Sequence, residues 1–450
     1  MPSLCRTEPP PRRSTRRFST RFCRPQRDLA SLAGDGTVFA SGAREKLEQL
    51  RTELDPLARR YDVVVANPPY MGSGILAKWQ SEWVKKQYPE EKSDLCTSFI
   101  ERGFTLSHSD GYNAMVTMQS WMFLGSYEKM RGKILRNHTI SSMAHLGTRA
   151  FGAIGGEVVS TTATVFANAA SAGHGAYFRL VDMGSEVEKQ EGLLEALADP
   201  ECGWFYRANA SNFEAISGSP IAYWTSRSTI AAFSGNPSLA SVSSPRQGLV
   251  TGDNNAFLRL WWEVSISKTN YSCSSREESV LSGDKWFPCN KGGGFRRWYG
   301  FHEYLIDWEN DGRKLRNFFD KEGKLRSRPQ NIEYCFKSGC TWGTISTALL
   351  SMRYSPGGFI SEHAGSMIYS SEDKNLDAFI LGFTNSSIAS SFLSILSPTL
   401  RFTEGPVGLL PLSYQPDMRI SKLVDDCVCL TKKDWDAFEE SWNYRRHPLV

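Results

Sequence analysis

Four consecutive residues, Asn67-Pro68-Pro69-Tyr70, hold the clearest chemistry in the chain. Adjacent prolines fix φ and have no N–H, so the carbonyls around them are rigid and free of a continuing hydrogen-bond ladder. An amide side chain beside a fixed carbonyl offers two acceptors to one primary amine. Methylation of an exocyclic amino group needs that arrangement, because the two hydrogens are held while the nitrogen lone pair stays available and oriented. The Tyr70 ring adds a face on which a base rotated out of a duplex would stack. The plain alternative is a Pro-Pro turn ending a strand, with Asn67 capping its own backbone and Tyr70 in the core.

A strand has to position the tetrad. Val63-Val64-Val65-Ala66 follows Asp62 as a continuous apolar run, the pattern of a parallel strand covered on both faces, and the prolines stop it. The carboxyl end of such a strand is where open α/β sheets hold ligands. Upstream, Leu47, Leu50, Leu54 and Leu57 predict an amphipathic helix that runs until Pro56 disturbs it. Downstream, the pattern predicts a helix from about Leu95 to Leu106 and a strand from Tyr112 to Met118. A helix N-capped by Ser126, with Tyr127, Met130 and Ile134 on one face, comes next, then strands over 140–146 and 160–166. This alternation argues for a doubly wound α/β sheet. The Gly/Ala-rich stretch from Asn168 to Tyr177 reads as a loop, and Ser234 to Gly248 as a second linker. Beyond Gly248 the periodicity weakens and Trp261, Trp262, Trp286, Trp298, Trp308 and Trp342 accumulate among glycines, which suits an irregular α+β domain. Those aromatic residues either fill its core or stack on bases.

Length and composition limit the function classes. At 450 residues, 40% hydrophobic and 22% charged, the chain suits two or three domains and excludes chain-wide disorder. No run approaches the eighteen apolar residues of a membrane-spanning helix, and no apolar core follows the N-terminal charges, so a soluble, non-secreted protein is expected. Ten cysteines without C-x-x-C spacing fit reduced thiols in the cytoplasm, and no metal-ligand or hydrolase motif occurs. The net charge of +4 hides eight arginines within residues 1–28, set against Glu8 and Asp28. That Arg/Pro-rich tail is expected to be disordered, as a transit peptide, a nucleic-acid-binding arm, a solvated tail or a misread start. The remainder is slightly acidic, so a nucleic-acid surface has to be a local patch. Candidates are the basic strip from Arg313 to Arg328, including Lys314 and Arg316, and Lys291 with Arg296 and Arg297 around a triglycine loop that lacks Walker spacing. A solvated helix face is the other reading of the strip.

Val63 to Tyr70 resembles the catalytic motif of DNA adenine-N6 methyltransferases that use S-adenosylmethionine. Ser93-Asp94-Leu95-Cys96, Gly111 to Met118 with Gln119-Ser120-Trp121, and Ser126 to Arg131 resemble the segments that follow it in large restriction-modification and BREX-type phage-defence methyltransferases. Gln247 to Asn254, Lys285-Trp286, Lys291-Gly292-Gly293 and Trp298-Tyr299-Gly300 resemble their target-recognition region. Trp435-Asp436 and Glu439 to Trp442 are similar to a later segment of the BREX-type members. The resemblance implies that Asn67 and the Pro68 carbonyl accept hydrogen bonds from adenine N6, with Pro69 completing the turn and Tyr70 stacking on the base. Transfer would then be a direct displacement at the methylsulfonium carbon. Asp94 and Phe99 match the following motif, where the family places adenine-pocket residues; helix capping by Asp94 and core packing by Phe99 stand beside that role. Implied partners are double-stranded DNA and other subunits of a defence system, with no membrane. Related tetrads also serve RNA or glutamine amines, against which the long Trp-rich region speaks.

The implied division is a tail over 1–40, a partial Rossmann-like catalytic domain over 41–215, a linker over 216–247, a target-recognition domain over 248–415 and a C-terminal segment over 416–450. The family's glycine-rich cofactor turn lies upstream of the tetrad and has no counterpart among the first 66 residues, where Gly34-Asp35-Gly36 follows no apolar strand. The expectation is therefore an internal piece of a longer enzyme with Val63–Ala66 as an open apolar edge, and a DNA-binding remnant without catalysis as the alternative.

Overall fold

The computed structural model describes residues 38–151, 159–346, 349–369, 371, 373–398, 401–447 and 449. The tail expected over 1–40 lies almost entirely outside them. Helix α1 (Val38–Ala58) contains Pro56 in its last turn instead of ending before it. A proline there forfeits one backbone bond beside a terminus whose final carbonyls have no helical partner in any case. Leu50, Leu54 and Leu57 on this helix are exposed.

Strand β1 (Tyr61–Ala66) follows, then α2 (Lys78–Gln87), α3 (Leu95–Leu106), β2 (Ser107–Met118), α4 (Glu128–Asn137), β3 (Thr139–Gly147), β4 (Thr161–Ala167), β5 (Gly175–Arg179), α5 (Glu186–Ala198) and β6 (Phe205–Ala208). The six strands form one sheet in the order β1-β2-β4-β3-β5-β6. The α/β class is as expected, but the sheet is mixed: β1 runs parallel to β2 and β3 to β5, while β4 is antiparallel to both its neighbours. Consecutive strands such as β3 and β4 pair antiparallel, a pairing that needs no crossover helix, which is why alternation alone overstated the parallel content.

Three local expectations change. Tyr127, Met130 and Ile134 form the buried face of α4 as read, yet the helix starts at Glu128, and Ser126 lies in a preceding 3-10 turn closed by Tyr127 N donating to Leu124 O at 3.0 Å. That closed turn displaces the helix start beyond Ser126. The stretch read as a loop up to Tyr177 already enters β5 at Gly175, where an added Cβ would lie 2.2 Å from the Ile140 carbonyl. Glycine permits the close approach of β5 to β3 there, not a turn. The expected linker over 216–247 is folded: Leu239 is sealed in a core, its N–H donates to Leu410 O, and Ser244–Arg246 forms strand β7. Its serines cap short helices, so small polar residues here serve local turns rather than flexibility.

The second half holds β7, β8 (Leu258–Leu260), β9 (Trp286–Asn290), β10 (Tyr304–Asp307), β11 (Gly339–Gly343), β12 (Met352–Ser355), β13 (Ile360–Ser361) and β14 (Gly365–Tyr369). They build two four-stranded sheets, β13-β9-β10-β8 and β12-β11-β14-β7. Trp286, Trp308 and Trp342 are buried, so these tryptophans fill cores, whereas Trp262 is exposed. Helices α6 (Lys374–Thr384), α7 (Ser387–Leu396) and α8 (Met418–Trp435) pack over the second sheet, and Trp224 touches both that core and the core of the first sheet. No single helix among the described residues is long and apolar enough to cross a membrane. The bent pair α6–α7, which passes by length and composition, contributes Ile380, Leu381, Ala389 and Leu393 to the buried core.

Candidate active site

The tetrad leaves the carboxyl end of β1, where Ala66 lies opposite Met115 of β2. β1 is the edge of its sheet: Val64 and Ala66 pack inward, while Val63 is 54% and Val65 74% exposed. Only the inward half of the apolar run is covered, not both faces.

Asn67 is exposed, Pro68 is buried, Pro69 is exposed and Tyr70 is half-buried. The Tyr70 hydroxyl donates to Asn67 Oδ1 at 3.1 Å. Burial, aided by nearby Cys96 and Asp94, pushes the phenol up to about 12, so it stays a donor at neutral pH. This bond turns the amide oxygen of Asn67 toward the ring and leaves that oxygen a further lone pair.

A latch fixes the loop beyond the tetrad. Asp94 N-caps α3 by accepting from Cys96 N at 2.9 Å, and the same Oδ1 accepts from Met71 N at 3.2 Å. Leu95 N donates to Met71 O, Ser73 N donates to Ser93 O, and Gly72 forms an antiparallel bridge with Asp94. The residue expected in a base pocket thus has its carboxylate aimed at loop backbone. Phe99, its companion, is 38% exposed on α3 and so is not core. Below the loop, burial pushes both the Cys96 thiol and the Tyr127 phenol up to about 12, which keeps this layer uncharged at neutral pH.

Sequence reading missed a neutral network at the adjoining strand ends. His145 Nε2 lies 2.7 Å from Gln119 Oε1, and its Nδ1 lies 3.0 Å from the Tyr223 hydroxyl. Burial holds the imidazole down to about 3. Gln119 follows β2 directly, but nothing in the chain pattern ties it to His145, 26 positions on, or His145 to Tyr223, a further 78 positions on. The exposed indoles Trp79 and Trp83 on α2, with Lys78, Lys85 and Lys86, follow the tetrad closely in sequence.

The basic candidates fall apart into two groups. Arg313 is exposed, while Lys314 pairs with Asp307 at 3.5 Å and Arg316 with Asp311 at 2.6 Å. Lys291 Nζ sits 4.0 Å from the Tyr304 ring centroid, and Arg297 stacks over Phe295. Arg296 binds Asp434 at 2.7 Å and lies over Trp435, which gives it a structural anchor.

Residues 37–151 match the model of the Eco57I restriction-modification methylases. The chain is 40% identical over 398 residues to the adenine-specific methyltransferase PglX of Lacticaseibacillus casei (strain Zhang), covering 88% of this chain and 33% of that protein. It is 40% identical over 425 residues to the adenine-specific methyltransferase BrxX of Escherichia coli O9:H4 (strain HS), covering 94% of this chain and 33% of that one. Among solved structures, the Type IIL restriction-modification enzyme MmeI in complex with DNA aligns at TM-score 0.48 and 12% identity, over 85% of this chain and 50% of MmeI. The chain thus spans about a third of the length of the curated relatives it matches. Over residues 37–151 the chain resembles an Eco57I restriction-modification methylase domain, and as a whole it corresponds to about one third of adenine-specific methyltransferases of the PglX and BrxX kind.

Proposed function

We propose that the chain is the base-binding and target-recognition portion of a site-specific DNA adenine-N6 methyltransferase acting in bacterial restriction-modification or phage defence. The observation that carries the reading is the tetrad at the mouth of β1, with Tyr70 orienting the Asn67 amide and Asp94 latching the loop. The 40% identity to PglX and BrxX supports it. Asn67 Oδ1 and the Pro68 carbonyl would take the two N6 hydrogens of a flipped adenine, leaving the lone pair directed outward. Tyr70 would stack on the ring. Asp94 would act as a positioning residue, and Phe99 as an exposed neighbour of the pocket.

S-adenosylmethionine is the methyl donor this reading implies. Among the described residues no glycine-rich turn stands beyond the open edge of β1, so they do not assemble a cradle for that donor. Double-stranded DNA is the proposed substrate, contacted by Lys291, Arg297, Arg313 and their neighbours, in the cytoplasm and alongside further subunits. A second reading, a DNA-binding portion without catalysis of its own, is favoured by the open edge.

The test measures methyl transfer from labelled S-adenosylmethionine to DNA, using this chain and a polypeptide of the relatives' full length. Asn67→Ala in the longer protein is expected to cut methylation by about 100-fold or more while DNA affinity changes less than about twofold. Retained activity would overturn the role of Asn67. Equilibrium binding of the labelled donor to this chain alone separates the two readings: binding favours a self-sufficient enzyme, and binding only by the longer protein favours a portion completed by other residues.

A further inference from the structure

Among the described residues two arginines are almost completely buried, and they are satisfied very differently. Arg131 is sealed by the carbonyls of Trp121, Leu124, Gly218 and Ser219, at 2.6 to 3.1 Å. Arg353 of β12 is 1% exposed, yet its two contacts, to the Arg296 and Gly292 carbonyls, are each 3.5 Å, and its Nε has no partner. Its guanidinium carbon lies 5.0 Å from the Phe301 ring centroid. Among the described residues no carboxylate comes within ion-pair distance of it. The buried Glu362 carboxylate is turned to His363 and to the Ala364 N–H. A buried cation with neither an anion nor good acceptors is expensive, and its field is weakly screened.

The group lies under a loop shaped for close approach. Gly292 and Gly293 have φ of 96° and 141°, and a Cβ on Gly293 would sit 2.7 Å from the Phe301 ring. Glycine is therefore required there. Gly293, Gly294 and Phe295 face solvent, with Phe295 51% exposed. At the rim, Arg297 lies over the Phe295 ring and its buried Nε also lacks a partner. Exposed glycine backbone above a fixed positive charge is a setting in which an anion can come near both the amides and the guanidinium field.

We propose that the Gly292–Arg297 loop, backed by Arg353, is a binding site for a backbone phosphate of the DNA. The proposal rests on the DNA-methyltransferase reading and adds Arg353, which no local pattern marks. The loop amides and Arg297 contact the phosphate, and Arg353 holds the loop while supplying charge from beneath. The site takes any phosphodiester irrespective of base, so it contributes affinity and register rather than sequence preference.

The experiment measures binding of a short duplex of about 20 base pairs as a function of salt. It compares the wild-type chain with Gly294→Asp, Arg353→Met and Arg353→Lys, and records the melting temperature of each. Gly294 has ordinary φ, and its nearest heavy atom to an added Cβ is 3.7 Å away, so the aspartate fits without displacing the loop. Gly294→Asp is expected to weaken binding roughly tenfold at about 0.1 M salt and to flatten the slope of log affinity against log salt by about 1. Arg353→Met is expected to flatten the slope similarly, and Arg353→Lys to retain it. If Arg353→Met fails to fold, Gly294→Asp decides. Wild-type binding with an unchanged slope in Gly294→Asp overturns the loop site while leaving the DNA reading intact. A wild-type chain that binds no duplex even at low salt overturns the DNA reading for this chain, and the site with it.

Discussion

Strands β1 and β11 each organise their half of the molecule, yet they are stabilised in opposite ways. β11 lies between β12 and β14, with Trp342 sealed and its indole N–H donating to the Phe402 carbonyl at 2.7 Å. β1 ends its sheet, with Val63 and Val65 in solvent. The tetrad is nevertheless restrained, locally by two prolines and the Tyr70 hydroxyl and from farther along the chain by a carboxylate 23 residues from the backbone N–H it holds. A functional loop can therefore be shaped by a handful of short-range bonds while the strand beneath it stays open to further pairing.

The sharpest break between the two strands is a truncation in β11. Trp342→Ala is expected to lower the unfolding free energy by about 3–5 kcal/mol in urea denaturation, through the lost burial and the orphaned Phe402 carbonyl. Loss below about 1 kcal/mol would mean that the second core is loosely packed.

Acid comes next, and each half has its own sensor. Burial holds His145 in the first half and His302 in the second down to about 3. Their folded pKa values lie below the unfolded value, so the unfolded chain binds more protons on acidification. This stability is fully present above pH about 6.5 and is lost as pH falls toward about 3. Between pH 6.5 and 5 each ring should contribute a loss of about 2 kcal/mol, read from urea midpoints. Phe in place of either histidine removes that ring's share of the sensitivity. His145→Phe should also destabilise at pH 7, because Gln119 and Tyr223 lose their partner, whereas His302 Nε2 has none to lose. Equal costs at pH 7 would sink the distinction.

A smaller effect is expected at the latch. Asp94→Ala should cost about 1 kcal/mol as a lost N-cap and should lower methylation by the full-length protein more than it lowers DNA affinity. Equal losses would make Asp94 a purely structural cap. Smallest of all, Val65→Ala should change stability by less than about 0.5 kcal/mol. A cost near that of a core residue, measured on the same urea curves, would show that the β1 edge is covered in solution.

Much of the first sheet was legible because its signals are local. The apolar run before the prolines, the 3.6-residue spacing of Tyr127, Met130 and Ile134, and the strand at Tyr112–Met118 each depend on neighbours within a few residues. Errors arose where a partner across the fold changed the meaning of a residue. Gly175 read as loop because glycine is ambiguous until the Ile140 carbonyl is seen against it. Serines near 234–248 read as linker because their bonds to helix carbonyls, Ser234 to Ile230 O and Ser243 to Leu239 O, appear only once those short helices are folded against the core. Asp94 was legible as a cap, but its hold on Met71 was not.

The chain by itself determined the α/β class, the strand that carries Asn67-Pro68-Pro69-Tyr70 and the rigidity of that turn, since proline dihedrals and hydrophobic periodicity act over a few residues. Only the tertiary structure decided that β1 is an edge and that β4 runs against both its neighbours. It alone decided that Arg296 is tied to Asp434 while Arg353 lies buried without an anion. Sheet order, burial and charge pairing are set by residues far apart in the chain, whose proximity exists only once the loops between them have closed.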